Sequence, residues 1–135
     1  KIIDIKKRGD PMKIHESAEN YLETILMLHN TKGMVRSIDI ANELGYSKPS
    51  VSVAMKNLRE NGYIEVSHEG FISLLPSGLE IAENMLERHN LLTRWLTTLG
   101  VAPDVAAEDA CRIEHVLSTE TFAAIKAHVQ AVSEQ

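Results

Sequence analysis

Apolar residues recur at helical spacing through residues 17–31, "SAENYLETILMLHNT", where Tyr21, Leu22, Ile25, Leu26 and Leu28 gather on one side. Recurrence at three and four residues predicts an amphipathic helix, with Ser17 as its N-cap and Gly33 as its stop. Residues 37–44, "SIDIANEL", predict a second short helix stopped at Gly45. "GYSK" is a tight turn, after which Ser47 caps a third helix with Pro49 placed early, where a missing N–H costs nothing. That helix runs through "PSVSVAMKNLREN" to Gly62, with Val51, Ala54 and Leu58 toward the core. The period then shortens. "YIEVS" and "FISLLP", joined by "HEG", predict a β-hairpin.

The pattern is helical again from residue 77. "SGLE" has the Ser…Glu spacing of a capping box and opens a long helix. Its inward positions are Leu79, Ala82, Met85, Leu86, Leu92, Trp95, Leu96 and Leu99, and Gly100 ends it. Pro103 starts a fifth helix to about Leu117, and Ser118 caps a sixth with Phe122, Ile125 and Val129 inward. Helix, helix, turn, helix, hairpin is the order of a winged helix-turn-helix. The fold class is therefore mainly α: a winged helix-turn-helix domain followed by an all-helical domain. The expected divisions are an N-terminal arm or tag at 1–16, the winged helix-turn-helix at 17–76 and the helical domain at 77–135. The surplus apolar surface of the helical half predicts self-association as a homodimer.

Composition narrows the function classes. With 44% hydrophobic and 24% charged residues the chain is an ordinary globular one. A single cysteine leaves no intrachain disulfide framework, which points to a reducing compartment. No apolar run approaches the ~20 residues of a membrane span and no secretory apolar core appears, so a cytoplasmic protein without a membrane partner is expected. The net charge of −5 means that any DNA binding must rest on local basic groups or on added positive charge.

Those local groups lie at the third helix. In a helix-turn-helix the N-terminal turns of the second helix of the motif enter the major groove. "SKPSVSVAMK" places Ser47, Lys48, Pro49, Ser50, Ser52 and Lys56 there, next to a helix N-terminus that favours phosphate. Arg36, before the second helix, and His68, at the hairpin tip, are secondary contacts. No Arg, Asn or Gln opens this helix, so shape and van der Waals contact are expected to carry much of the specificity. The competing reading is a protein-binding winged helix with an ordinary solvated face.

The block "ACRIEHVLS" gathers Cys111, Glu114 and His115 on one helix face, offset from the apolar stripe of Ala106, Ala110, Ile113 and Leu117. A thiolate, a carboxylate and an imidazole suit a divalent transition metal. Further ligand types adjoin apolar stripes elsewhere: His89 on the long helix, and Glu23 with Asn20 on the first. Singly, each has an ordinary structural explanation, since a lone His is more often hydrogen-bonded in a core and a buried Cys behaves as a small hydrophobe. Asn20 is the weakest member. Cys and His one turn apart also suggest a nucleophile and its base, but no orienting third group or oxyanion loop accompanies them. Ligand types on three separate helices favour metal binding over an enzyme.

The segments "ENYLETILML", "SKPSVSVAMKNLRENGYI", "LERHNLLTRWL" and, most specifically, "DACRIEHVLS" resemble the metal-dependent transcriptional regulators of the diphtheria toxin repressor and manganese transport regulator family. The resemblance spans about Ser17 to Val129. It implies a helical metal-binding and dimerisation domain behind the winged helix, and repression of metal-uptake genes through double-stranded operator DNA with Fe(II) or Mn(II) as co-repressor. It also implies ligand roles for Cys111, Glu114, His115, His89 and Glu23. Asn20 stands where the iron branch has Met and the manganese branch Asp. Cys111 follows the iron branch, while Glu23 follows the manganese branch. Thr93 and Ala107 replace ancillary-site Glu and His of the iron branch, and the SH3-like third domain of many iron-branch members is not expected. Because thiolate disfavours Mn(II), this donor set leans to Fe(II), with Mn(II) next and Co(II), Ni(II) or Zn(II) as substitutes in vitro. A winged-helix dimer without metal regulation is the alternative.

Overall fold

A computed structural model describes residues 11–133, which form six helices and one two-stranded sheet. The elements are α1 (Pro11–Lys32), α2 (Ser37–Leu44), α3 (Lys48–Glu60), β1 (Ile64–Val66), β2 (Ile72–Leu74), α4 (Pro76–Thr98), α5 (Pro103–Ile113) and α6 (Thr119–Ser133). The described residues divide into two compact units that part after Asn84, and α4 carries the chain from one into the other. Residues 1–10 of the expected N-terminal arm lie outside the described residues.

The first unit has the winged helix-turn-helix order. In α1 the stripe of Tyr21, Leu22, Ile25 and Leu28 is buried, as are Ile40 and Ala41 of α2 and Val51, Met55 and Leu58 of α3. The turn between α2 and α3 depends on Gly45 in the left-handed region (φ +69°), where a side chain would be strained. There the amide of Gly45 donates to the Ala41 carbonyl (2.9 Å) and that of Tyr46 to the same oxygen (3.1 Å), closing α2. The Tyr21 and Tyr46 rings meet edge-on at 6.0 Å, tying this turn to α1. β1 and β2 pair antiparallel with Glu65 opposite Ser73, which buries Ile64 and Ile72 on one face. The wing is anchored by the Ile72 amide donating to the Val35 carbonyl at 2.8 Å.

Four local expectations are corrected. α1 starts at Pro11, so Ser17 is interior to the helix and does not cap it. Proline tolerates a first-turn position because its absent N–H has no helical partner there. α4 likewise starts at Pro76, and the Ser77 hydroxyl donates to the Gly62 carbonyl (3.0 Å). Next to it, a Cβ on Gly78 would collide with the Tyr63 carbonyl oxygen, so only glycine permits this approach of α4 to the strand entry. Finally, α5 ends at Ile113, with Glu114 as its C-cap, rather than near Leu117. Leu79 and Leu99, expected inward, are exposed near the two ends of α4.

In the second unit, Leu91, Phe122 and Val129 form a buried cluster, with Trp95, Leu117 and Ile125 packed against it. Lys126 Nζ reaches Glu87 Oε2 at 2.9 Å across the α4–α6 pair.

Candidate functional site

The second unit places its ligand-type residues at the C-terminal end of α5. Ala106, Ala110 and Glu114 are spaced by four residues and form one buried line, so the Glu114 carboxylate sits on the apolar stripe itself instead of beside it. It is fully buried and faces two imidazoles. Oε2 lies 3.1 Å from Nδ1 of His89, which extends from α4, and Oε1 lies 3.3 Å from Nε2 of His115. The His115 side chain is 7% exposed and that of His89 is 21% exposed. Cys111 is exposed, one position round the helix from the buried Ala110.

Arg88, a residue that the sequence pattern gave no reason to single out, holds this corner. Its Nη1 donates to the carbonyls of Glu114 (3.0 Å) and Leu117 (2.7 Å), and its guanidinium lies 5.2 Å from the Phe122 ring centroid. These carbonyls follow the end of α5, where no helical donor reaches them. The partners are backbone atoms, so no side-chain pattern announces the contact.

Glu23, in the first unit, is buried on α1, and Asn20 is half-buried one turn before it. The Asn20 carbonyl accepts from the Thr24 hydroxyl at 2.8 Å.

Two nitrogen donors about one buried carboxylate are a donor set for a divalent transition metal. The residues present therefore fit a metal without drawing on the thiol.

All seven residues expected at DNA are exposed: Arg36, Ser47, Lys48, Pro49, Ser50, Ser52 and Lys56. They differ in freedom. Ser47 caps α3: its Oγ accepts from the Ser50 amide (3.3 Å) and donates to the Ser50 hydroxyl (2.8 Å). Arg36 stacks over the Phe71 ring at 4.3 Å, where the wing begins. The Arg36 amide donates to the Asp39 carboxylate at 2.9 Å, and Lys32 Nζ reaches the same group at 3.0 Å. These two bonds, the first the stronger influence, hold the Asp39 carboxyl below the ordinary aspartate range. Sequence reasoning passed over Asp39, although an acid at the third residue of a helix is a capping signal. His68 is exposed at the hairpin tip.

Comparison with known proteins agrees with this division of labour. Residues 13–71 match the family described as iron dependent repressor, N-terminal DNA binding domain, and residues 75–135 match iron dependent repressor, metal binding and dimerisation domain. The chain is 36% identical over 115 residues to the transcriptional regulator MntR of Salmonella typhimurium, covering 85% of this chain and 73% of that protein. The chain belongs to the iron-dependent repressor family. Its members are metal-responsive, DNA-binding transcriptional regulators rather than enzymes. The family assignment extends to MntR of Listeria monocytogenes, 37% identical over 102 residues, covering 76% of this chain and 72% of that one. Among solved structures, a manganese-dependent transcriptional repressor in complex with manganese superposes with a TM-score of 0.77 at 29% identity, over 84% of this chain and 52% of that one. IdeR of T. acidophilum superposes with a TM-score of 0.71 at 26% identity, over 82% and 52%. The chain thus spans about half the length of these solved family members. No helix among the described residues is long and apolar enough to cross a membrane.

Proposed function

We propose that this family member is a homodimeric repressor that binds double-stranded operator DNA when loaded with Mn(II), held by Glu23, His89, Glu114 and His115. The observation that carries the reading is the buried Glu114 carboxylate between the His89 and His115 imidazoles, inside the portion matched as metal-binding. Carboxylates and imidazoles without thiolate suit Mn(II) better than a sulfur-bearing shell does. The preference for Mn(II) over Fe(II) is supported by the nitrogen and oxygen donors of His89, His115 and Glu114 and by the likeness to a manganese-dependent repressor. Fe(II) remains the second reading, because Cys111 lies in the same block as Glu114 and His115. Asn20, one turn from Glu23, is a further ligand on this reading.

A dication held here supplies positive charge against Glu23 and Glu114 in a chain of net charge −5. The proposed ligands come from α1 on one side and from α4 and the end of α5 on the other. Joining them restricts how the helix-turn-helix is carried, and so favours one arrangement from a population of several. A shift from 1:99 to 99:1 needs about 10⁴-fold tighter metal binding to the competent state, within the reach of several ligand bonds. Dimerisation is supported by Leu99, Val105, Val116 and Val132, large apolar side chains that the second unit leaves exposed. Two copies would then address half-sites ~34 Å apart or a multiple of it.

The test is selection from a randomised duplex pool by metal-stripped protein, with Mn(II), Fe(II) under argon, or EDTA. Enrichment of a two-fold symmetric sequence with Mn(II), abolished by EDTA and by Glu23→Ala, is the expected result. Equal enrichment in EDTA would refute metal control.

A further inference from the structure

The outward side of the reading helix carries an apolar group where hydrogen-bonding base readers are usual. Val51, Met55 and Leu58 are buried and fix how α3 is rotated in the first unit. At about 100° per residue, the opposite side of its first three turns includes Pro49, Val53 and Lys56. Val53 is 61% exposed, and it is the one large apolar side chain that α3 turns to solvent. The hydroxyls that could compete for base edges are partly committed, since Ser47 and Ser50 bond each other in the cap. Around Val53 stand Lys48, Ser52 and Lys56, all exposed, a setting suited to phosphates on either side of a groove.

A scattered surface valine needs no explanation by itself. This one occupies the part of a helix-turn-helix that enters the major groove, and the thymine C5-methyl is the apolar group that groove offers. We infer that Val53 reads a thymine methyl group in each operator half-site, a base preference set by apolar contact rather than by a hydrogen bond. The inference rests on the operator-binding reading above and assigns to it one specificity-determining residue.

The experiment uses the full chain with Mn(II) and the duplex enriched from the randomised pool, with each thymine replaced in turn by deoxyuridine. At one thymine per half-site, loss of the methyl should weaken wild-type binding about fourfold, the worth of burying one methyl-sized group. Val53→Ala should bind the thymine and deoxyuridine duplexes equally at that position while retaining its binding to the remaining sites. Its fold is not at risk, because Val53 is exposed and alanine is the better helix former. Wild-type indifference to every replacement, an unchanged thymine preference in Val53→Ala, or a selected half-site without thymine overturns the inference while leaving operator binding intact. Failure to enrich any duplex with metal is the separate outcome that overturns the parent reading and this one with it.

Discussion

Nδ1 of His89 lies 3.1 Å from Oε2 of Glu114, joining side chains that are 25 residues apart in sequence. The pairing means that the long helix and the end of α5 present their polar atoms to one spot inside an otherwise apolar unit. Burying a carboxylate there is costly unless its charge is matched. The proposed function makes a metal ion the principal match, and this has measurable consequences.

Glu114→Gln keeps the shape of the side chain and removes its charge. Wild-type protein in Mn(II) at a hundred times the dissociation constant should gain about 2.7 kcal/mol, raising Tm on the order of 10 °C over the metal-stripped form. In Glu114→Gln that increment should all but disappear, with the Tm of the metal-stripped protein little changed. Differential scanning fluorimetry with and without Mn(II) reads both quantities. A full metal-induced rise in the variant would remove Glu114 from the site.

Cys111 separates the manganese reading from the iron reading. The thiol is exposed and lies off the buried Ala106–Ala110–Glu114 line. Co(II) bound to metal-stripped protein should therefore give visible ligand-field bands without an intense sulfur-to-metal charge-transfer band in the near ultraviolet. Cys111→Ser should leave that spectrum and the Mn(II) affinity unchanged. A charge-transfer band lost in Cys111→Ser would place the thiolate in the shell and restore the preference for Fe(II).

Asp39 ties the start of α2 to pH. Its carboxyl is held below the ordinary value of 3.8, chiefly by the Arg36 amide and then by Lys32. A group whose pKa is lower in the folded state stabilises fully above its unfolded pKa, and this contribution is lost as pH falls through the folded value. Asp39→Asn should cost about 0.5 kcal/mol in urea unfolding at pH 7, the usual worth of a carboxylate charge in the first turn of a helix. The gap between variant and wild type should narrow as pH falls below the ordinary value of 3.8. An unchanged gap would mean that shape rather than charge makes the contribution.

The order of elements was legible because each helix of the first unit carries its own period and stop: Tyr21, Leu22, Ile25 and Leu28 in α1, Gly45 after α2, Ser47 before α3. The starts of α1 and α4 were misplaced at Ser17 and Ser77, because proline as a first helical residue competes with a hydroxyl as a cap and both signals were present. Within the candidate site, the residue types of His89, Glu114 and His115 were legible, but which of them is buried was not. Burial of Glu114 depends on its line with Ala106 and Ala110, and exposure of Cys111 on its turning one position away; spacing alone put all of them on one face. Val53 was not singled out, because only the inward stripe was read from the sequence, through Val51, Ala54 and Leu58, where the structure buries Val51, Met55 and Leu58.

Arg88 supplies the last test, because it touches no proposed ligand side chain yet fixes where one of them stands. One guanidinium nitrogen accepts no bonds and donates to two carbonyls, those of Glu114 at 3.0 Å and Leu117 at 2.7 Å, while the ring of Phe122 covers the group at 5.2 Å. Lysine keeps the charge but is a point donor on a flexible stem, and it does not reproduce a planar group held against an aromatic face. Arg88→Lys should therefore lose about 1–2 kcal/mol of stability, the range for a hydrogen bond to a charged group less what the ammonium recovers. Stability by itself would mark only a structural contact. The discriminating measurement is the Mn(II) dissociation constant at a temperature where both proteins are fully folded, since outer contacts that orient ligands are worth 10–100-fold in metal affinity. A drop of about tenfold there, with the Co(II) spectrum broadened in the variant, would identify Arg88 as the residue that positions Glu114. Unchanged affinity alongside the lower stability would confine Arg88 to closing the end of α5.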